Sequence, residues 1–143
     1  MKYLLVLLGG QRYAVPITLI NSIVEPEDIA VTQVPEAPAY AIGVGNLRGK
    51  IIPLSDLRRM FGISAAAAVA CYVLLEFEGG RIVGFPVEAM PKTVELAEAA
   101  ITAAPDFGGE LPKEYILGIG KLADATAIVL DAEAVFKKQE AER

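Results

Sequence analysis

Few side chains in this sequence have the type and spacing needed for chemistry. The 143 residues include no histidine, no tryptophan and one cysteine. Without histidine there is no side chain that titrates near neutrality in its ordinary state, and no imidazole to bind a metal. A Ser-His-Asp or Cys-His set cannot be assembled. Cys71 lies in the apolar run Ala65–Leu75 and reads as a core residue. One cysteine makes neither an internal disulfide nor a zinc site. Asp56 and Asp131 each precede a short stretch with a helix-like pattern, so both read as helix N-caps. Glu76 and Glu78 alternate along a strand-like run and read as one solvated face. Gly43-x-Gly45 is followed by Arg48 and Gly49, which misses the dinucleotide fingerprint. Those glycines are expected to let a strand bend or a neighbour come close. No catalytic residue, cofactor site or metal site is expected.

One polar group stands out from this background. Asn46-Leu47-Arg48-Gly49 forms the tip of an expected hairpin, Ala41–Leu47 with Lys50–Leu54, whose flanks are strongly apolar. Glycine at the second turn position supplies the positive φ that a tight turn needs. An arginine held on a rigid hairpin suits partner binding, because its planar fork makes directional hydrogen bonds.

The elements that must position this tip come from an internal repeat. An offset of 75 residues carries Tyr40-Ala-Ile-Gly-Val-Gly-Asn-Leu onto Tyr115-Ile-Leu-Gly-Ile-Gly-Lys-Leu, Asp56 onto Asp131 and Phe61 onto Phe136. Upstream, an offset of 70 carries Gly9-Gly10 onto Gly79-Gly80, Pro16 onto Pro86 and Val24-Glu25 onto Val94-Glu95. The repeat mate of the Arg48 tip is Lys121–Asp124, which has no arginine. Structure alone therefore does not demand arginine at the tip.

Each half reads mostly as strands. In the first, Tyr3–Leu8 and Gln11–Ile17 flank Gly9-Gly10, and Ile29–Val34 precedes the central hairpin. Ile17, Ile20, Ile23 and Val24 sit at helical spacing, with Pro26 as a stop, so a short helical segment is expected there. Leu57–Phe61 is an expected short helix ended by Gly62. In the second half Cys71–Phe77, Arg81–Val87, Ile116–Leu122 and Thr126–Leu130 read as strands. Val94–Ile101 is open between strand and helix, Pro105–Pro112 reads as loop, and Asp131 caps a terminal helix. Five short strands per half suggest two small barrels, since closure protects strand edges. Ser64–Ala70 is the junction, and its apolar character implies that the halves pack as one unit.

Composition excludes other classes. Hydrophobic residues are 54% of the chain, too many for a disordered protein. The net charge of −5, with no dense basic stretch, argues against nucleic acid. The opening Tyr3–Leu8 run is short and lacks a cleavage site, so a buried first strand is preferred to a signal peptide. The Ala65–Leu75 run is far below the roughly 20 residues that span a bilayer. A cytoplasmic protein, not embedded in a membrane, is expected.

Gly43-Val-Gly-Asn-Leu-Arg-Gly-Lys-Ile-Ile-Pro-Leu-Ser-Asp-Leu-Arg58 resembles the signature of CheW-type chemotaxis coupling proteins, usually G-V-x-N-L-R-G-x-x-x-P-x-x-D-L-R. The likeness extends to the opening strand and Gly-Gly turn, to Pro105-x-Phe107, and to Glu114-Tyr115-x-x-Gly118-x-Gly120-x-Leu122. It implies a mostly β fold of two intertwined SH3-like five-stranded barrels with short helices. The chain is then a single domain over 1–143, with subdomains at about 12–70 and 71–136 and strand exchange near the termini. It further implies a non-catalytic cytoplasmic adaptor without cofactor. Such an adaptor joins the helical hairpin of a methyl-accepting chemoreceptor to the regulatory domain of a CheA-type histidine kinase in membrane-associated arrays. Arg48, Asn46 and Gly49 match the motif, and Ser22 stands where an acidic residue commonly faces the receptor. Gly45 replaces a larger residue, and Ala125 stands where arginine is frequent. These departures bear on partner choice. A scaffold of a pilus-motility or biofilm circuit, and a small-molecule-binding β-barrel, are the alternative readings.

Overall fold

The structure, a computed structural model, describes residues 1–103 and 113–141, with side chains to 137. The expected Pro105–Pro112 loop and the Pro105-x-Phe107 match lie outside the described residues. Twelve strands and two α-helices are described. In the first half β1 is Lys2–Leu8, β2 Gln11–Pro16, β3 Ile20–Val24, β4 Ala30–Thr32, β5 Ala41–Leu47, β6 Lys50–Ser55 and α1 Leu57–Met60. In the second half β7 is Cys71–Glu76, β8 Ile82–Val87, β9 Lys92–Glu95, β10 Ile101–Thr102, β11 Ile116–Lys121, β12 Thr126–Leu130 and α2 Ala132–Ala141.

The strands form two six-stranded sheets, ordered β10-β11-β12-β2-β1-β9 and β4-β5-β6-β8-β7-β3. The repeat converts one order into the other, strand for strand. Neither sheet comes from one half alone. The β1–β2 hairpin pairs with the second half through parallel β2–β12 contacts, and β7–β8 pairs with the first through Leu54 beside Gly84. The architecture is therefore mostly β, in two intertwined SH3-like barrels, as the repeat and the resemblance imply. The reading of five strands per half becomes six because β3 is a strand. Only Ile17–Leu19 forms a helical turn, and it is a single 3₁₀ turn. The apolar residues at helical spacing also satisfy a bulged strand, with the register against β7 shifting between Ile20 and Ser22. Pairing with β7 gives that backbone its hydrogen bonds, and β-branched Ile and Val suit it. In the second half the open stretch resolves into β9, a 3₁₀ turn at Glu98–Ala100, and the two-residue β10.

Three cores result. The central one lies among the exchanged hairpins β1, β2, β7 and β8 and is closed by the helices. There Phe61 and Phe136, which are repeat mates, are each 1% exposed. Phe61 packs against Tyr13 and Tyr115, and Phe136 against Phe77 and Phe85, at centroid distances of 5.8–6.2 Å. Each barrel also has its own interior. Val24, Ile29, Ile52, Leu54 and Leu74 fill the first; Tyr3, Ala14, Leu96, Ala127 and Val129 fill the second. Cys71 is fully buried in the central core, and burial raises the pKa of its thiol.

The paired glycines have a steric cause. A Cβ on Gly43 would meet the carbonyl oxygen of Thr32, and one on Gly118 would lie 2.6 Å from that of Thr102. Thr32 and Thr102 are themselves repeat mates. Gly45 is explained as well, because a Cβ there would lie 2.5 Å from Ile29 Cδ1. The isoleucine side chain occupies the space that a larger residue at position 45 would need.

Candidate functional site

The β5–β6 hairpin is paired up to Leu47 and Lys50, leaving Arg48 and Gly49 as a two-residue turn. Both have positive φ, 52° and 84°, the sign pattern of a type I′ turn. That turn matches the right-handed twist of its flanking strands but disfavours a side chain at either central residue. The β1–β2 hairpin meets the same requirement with Gly9 and Gly10. Here arginine holds a left-handed conformation that ordinarily costs an L-residue about 1–2 kcal/mol. Asn46 braces it, since the Gly49 N–H donates to Asn46 Oδ1 at 2.9 Å. The Arg48 side chain is exposed and makes no ion pair or side-chain hydrogen bond among the described residues. Beside it Lys50 is exposed, and Ile51 is 60% exposed.

Asn46, Arg48 and Gly49 thus lie on one turn. Ser22 lies on β3, at an edge of the same sheet, with three strands between it and β5 in hydrogen-bonded order. It is half-buried, and its hydroxyl donates to Asn21 Oδ1 at 2.9 Å. Asn21 Nδ2 in turn donates to Glu76 Oε1 at 2.8 Å. Glu76 and Glu78 are both exposed. The turn after β3 carries Glu25, Glu27 and Asp28. A hydrogen bond that protonated Glu25 donates to the neighbouring Glu27 carboxylate, then the charges of Glu27 and Asp28, raise the Glu25 pKa.

Both aspartates cap helices. Asp56 accepts from Arg58 N at 3.0 Å, and Asp131 Oδ1 accepts from Ala134 N at 3.1 Å. Around Asp56 lies a polar cluster to which sequence reasoning gave no role. The Arg58 side chain, 4% exposed, donates from Nε and Nη2 to the two Asp56 carboxylate oxygens, both at 3.0 Å. Its Nη1 donates to Glu88 Oε2 at 3.1 Å and to the Ala67 carbonyl at 2.9 Å. Glu88 also accepts from Gly9 N at 2.8 Å and Gly10 N at 3.2 Å. One guanidinium thus joins the helix start, the inter-half segment, the end of β8 and the exchanged Gly9-Gly10 turn. Burial opposes the charge on Glu88, but the Gly9 N–H, Arg58 and the Gly10 N–H outweigh it and hold its pKa below the usual range. The Arg58 pKa is raised, chiefly by its hydrogen bond to Asp56. Arg58 was visible in the sequence only as the end of the motif, and Glu88 carried no local signal.

None of these groups converges on a point where a substrate could react. Among the described residues no group of three or more His, Cys, Asp or Glu could hold a metal ion. No described helix is long and apolar enough to cross a membrane.

Residues 2–140 match the CheW-like domain family. The chain is 33% identical over 133 residues to a chemotaxis protein CheW of Helicobacter pylori, covering 92% of this chain and 79% of that protein. It is 32% identical over 142 residues to one of Klebsiella aerogenes, covering 97% and 83%. The crystal structure of the scaffolding protein TtCheW from Thermoanaerobacter tengcongensis superposes with a TM-score of 0.79 at 28% identity, covering 91% of this chain and 83% of that one. The repeated barrels, the braced Arg48 turn and these likenesses agree: the chain belongs to the CheW-like family of non-catalytic chemotaxis coupling proteins.

Proposed function

We propose that this protein couples the cytoplasmic helical hairpin of a chemoreceptor to the regulatory domain of a CheA-type histidine kinase, in the cytoplasm beneath the receptor membrane. The Arg48 turn is the observation that carries this reading. The fold makes an equivalent two-residue turn with Gly9 and Gly10, so strain at Arg48 is not a requirement of the hairpin. A strained, charged and exposed side chain with a dedicated brace is more readily explained by a contact outside the chain. Asn46 and Gly49 hold the turn, and Ser22 supplies a second point of contact on β3. Each contact is modest, and assembly into an array supplies avidity.

The test is a titration of the isotope-labelled full chain with a receptor hairpin fragment and, separately, with the kinase regulatory domain. Resonances at Asn46–Lys50 and Ser22 are expected to shift on addition of the receptor fragment. Arg48→Glu should weaken that binding while moving the melting temperature little, because surface changes usually stay within about 0.5 kcal/mol. Absence of shifts with both partners sinks the coupling reading. A large loss of stability in Arg48→Glu shows instead that Arg48 is structural.

A further inference from the structure

The repeat gives each proposed contact residue a mate in the second barrel. Ser22 maps to Lys92, Asn46 to Lys121, Arg48 to Ala123 and Gly49 to Asp124. The pairings agree with these equivalences: Ser22 lies opposite Leu74 as Lys92 lies opposite Leu5, with Leu74 and Leu5 opposite Gly84 and Ala14, and Asn46 lies opposite Ile51 as Lys121 lies opposite Thr126, each followed by a two-residue turn. All four mates line one groove of about 660 Å³ on the second barrel. That volume is in the range of binding pockets.

The groove exists because the same place is closed in one barrel and open in the other. Leu74 and Val24 are 1% and 7% exposed in the first barrel. Their mates Leu5 and Val94 are only half-buried, and with Leu122 they form the groove's apolar floor. The interior beneath is also lighter, with Ala127 where the first barrel has Ile52 and Val129 where it has Leu54. Charge distinguishes the two places further. The turn arginine has become alanine, but Arg12, Lys92 and Lys121 now stand exposed around the groove. None of the three forms an ion pair among the described residues. Glu95 and Asp124 are the carboxylates of the rim, so its balance is cationic in a chain of net charge −5.

We infer that this groove is a second docking surface, taking a partner segment that presents an apolar anchor side chain flanked by carboxylates. The floor of Leu5, Val94 and Leu122 accepts the anchor. Lys92 and Lys121, on strands at opposite sides of the groove, receive the carboxylates. The choice of a protein segment over a small ligand rests on reading the equivalent place of the first barrel as a protein contact. The apolar floor and cationic rim do not depend on that reading.

The probes are an acetylated helical peptide with leucines at i, i+3, i+4 and i+7 separated by glutamates, its twin with lysine for every glutamate, and decanoate. Each is titrated into the isotope-labelled full chain. The acidic peptide is expected to give saturable shifts at Leu5, Lys92, Val94 and Leu122–Asp124, and the lysine twin none. Lys92→Glu with Lys121→Glu should weaken the acidic peptide about tenfold or more, since it turns two attractive contacts repulsive. Its melting curve should be unchanged, and Arg48→Glu should leave the groove's affinity as it was. The inference is overturned if the acidic peptide gives no saturable shift there, if both peptides bind alike, or if the double variant binds as tightly. Saturation by decanoate with no response to the peptide also overturns it, in favour of a small amphipathic ligand. Loss of receptor-fragment binding in Arg48→Glu is read separately, so failure of either site does not count against the other.

Discussion

Asp56 and Asp131 begin the two helices at equivalent places and receive the same backbone bonds. The Asp56 N–H donates to the Tyr40 carbonyl at 2.7 Å, and that of Asp131 to the Tyr115 carbonyl at 2.8 Å. Met60 N and Val135 N donate to the aspartate carbonyls, both at 3.1 Å. The surroundings then differ. Asp56 is buried with Arg58 and Glu88, whereas the mates of those two residues are the exposed Glu133 and Thr18. The first helix start is thereby tied to an exchanged hairpin and to the inter-half segment, whereas among the described residues Asp131 makes no side-chain ion pair. Both halves use the same backbone solution. The side chains differ at Arg58 and Glu88, on which those backbone bonds do not depend.

The comparison breaks most strongly at Arg58. Arg58→Ala leaves the buried Glu88 carboxylate without its cation and Asp56 with the exposed Arg59 at 3.9 Å, and breaking a buried pair typically costs about 3–5 kcal/mol. Urea unfolding should show that loss, while Glu133→Ala, at the mate position, should stay within about 0.5 kcal/mol. Equal effects at the two positions would show that the ion cluster does not distinguish the halves.

A smaller effect is expected at the paired glycines. Gly43→Ala and Gly118→Ala both drive a methyl group into a threonine carbonyl, but Gly43 also has a φ of 145°. Each should cost roughly 1–3 kcal/mol, with Gly43 the worse of the two. Thermal melts of the two variants side by side rank them.

The pH dependence sharpens the contrast next. Glu88 has a folded-state pKa below its unfolded value of about 4.3. Its contribution to stability is therefore present above that value and is lost as pH falls through the folded pKa. Melting temperature should decline below about pH 4, and Glu88→Gln should decline less steeply because this group no longer titrates. Parallel pH profiles for the two proteins would contradict the assignment.

The smallest effect has a favourable sign. Arg48→Gly relieves the left-handed strain and should raise stability by about 1 kcal/mol while weakening receptor-fragment binding. Gly10→Arg, in the hairpin that already has glycine at both central positions, should lower stability without any gain in binding. A stabilised Arg48→Gly that binds as well as the parent would detach the strain from function.

Much of the fold was legible because its signals are local. Turn glycines, helix caps and the Gly-x-Gly pairs depend on φ and on sterics within a few residues. The segment Ile17–Val24 is not legible in this way, because its apolar spacing fits both a helix and a bulged strand, and a distant strand, β7, decides between them. At the site, the Arg48 tip could be read from the turn and the repeat, but not the left-handed φ at Arg48 itself. Arg58 was visible only as a motif residue. Glu88, thirty positions away along the chain, was not visible at all.

The sequence alone determined the repeat, the strand-rich halves, the capped helices, the absence of histidine and of a second cysteine, and the arginine at one hairpin tip. Those follow from residue type and short-range spacing. Tertiary structure alone decided that each half pairs the other's first hairpin. It also decided that Arg58 finds Glu88, that Glu88 in turn holds the Gly9-Gly10 turn, and that one barrel mouth closes while its mate stays open. Each of these depends on contacts between residues distant in sequence, whose energies are fixed only when the two sheets pack around their common core.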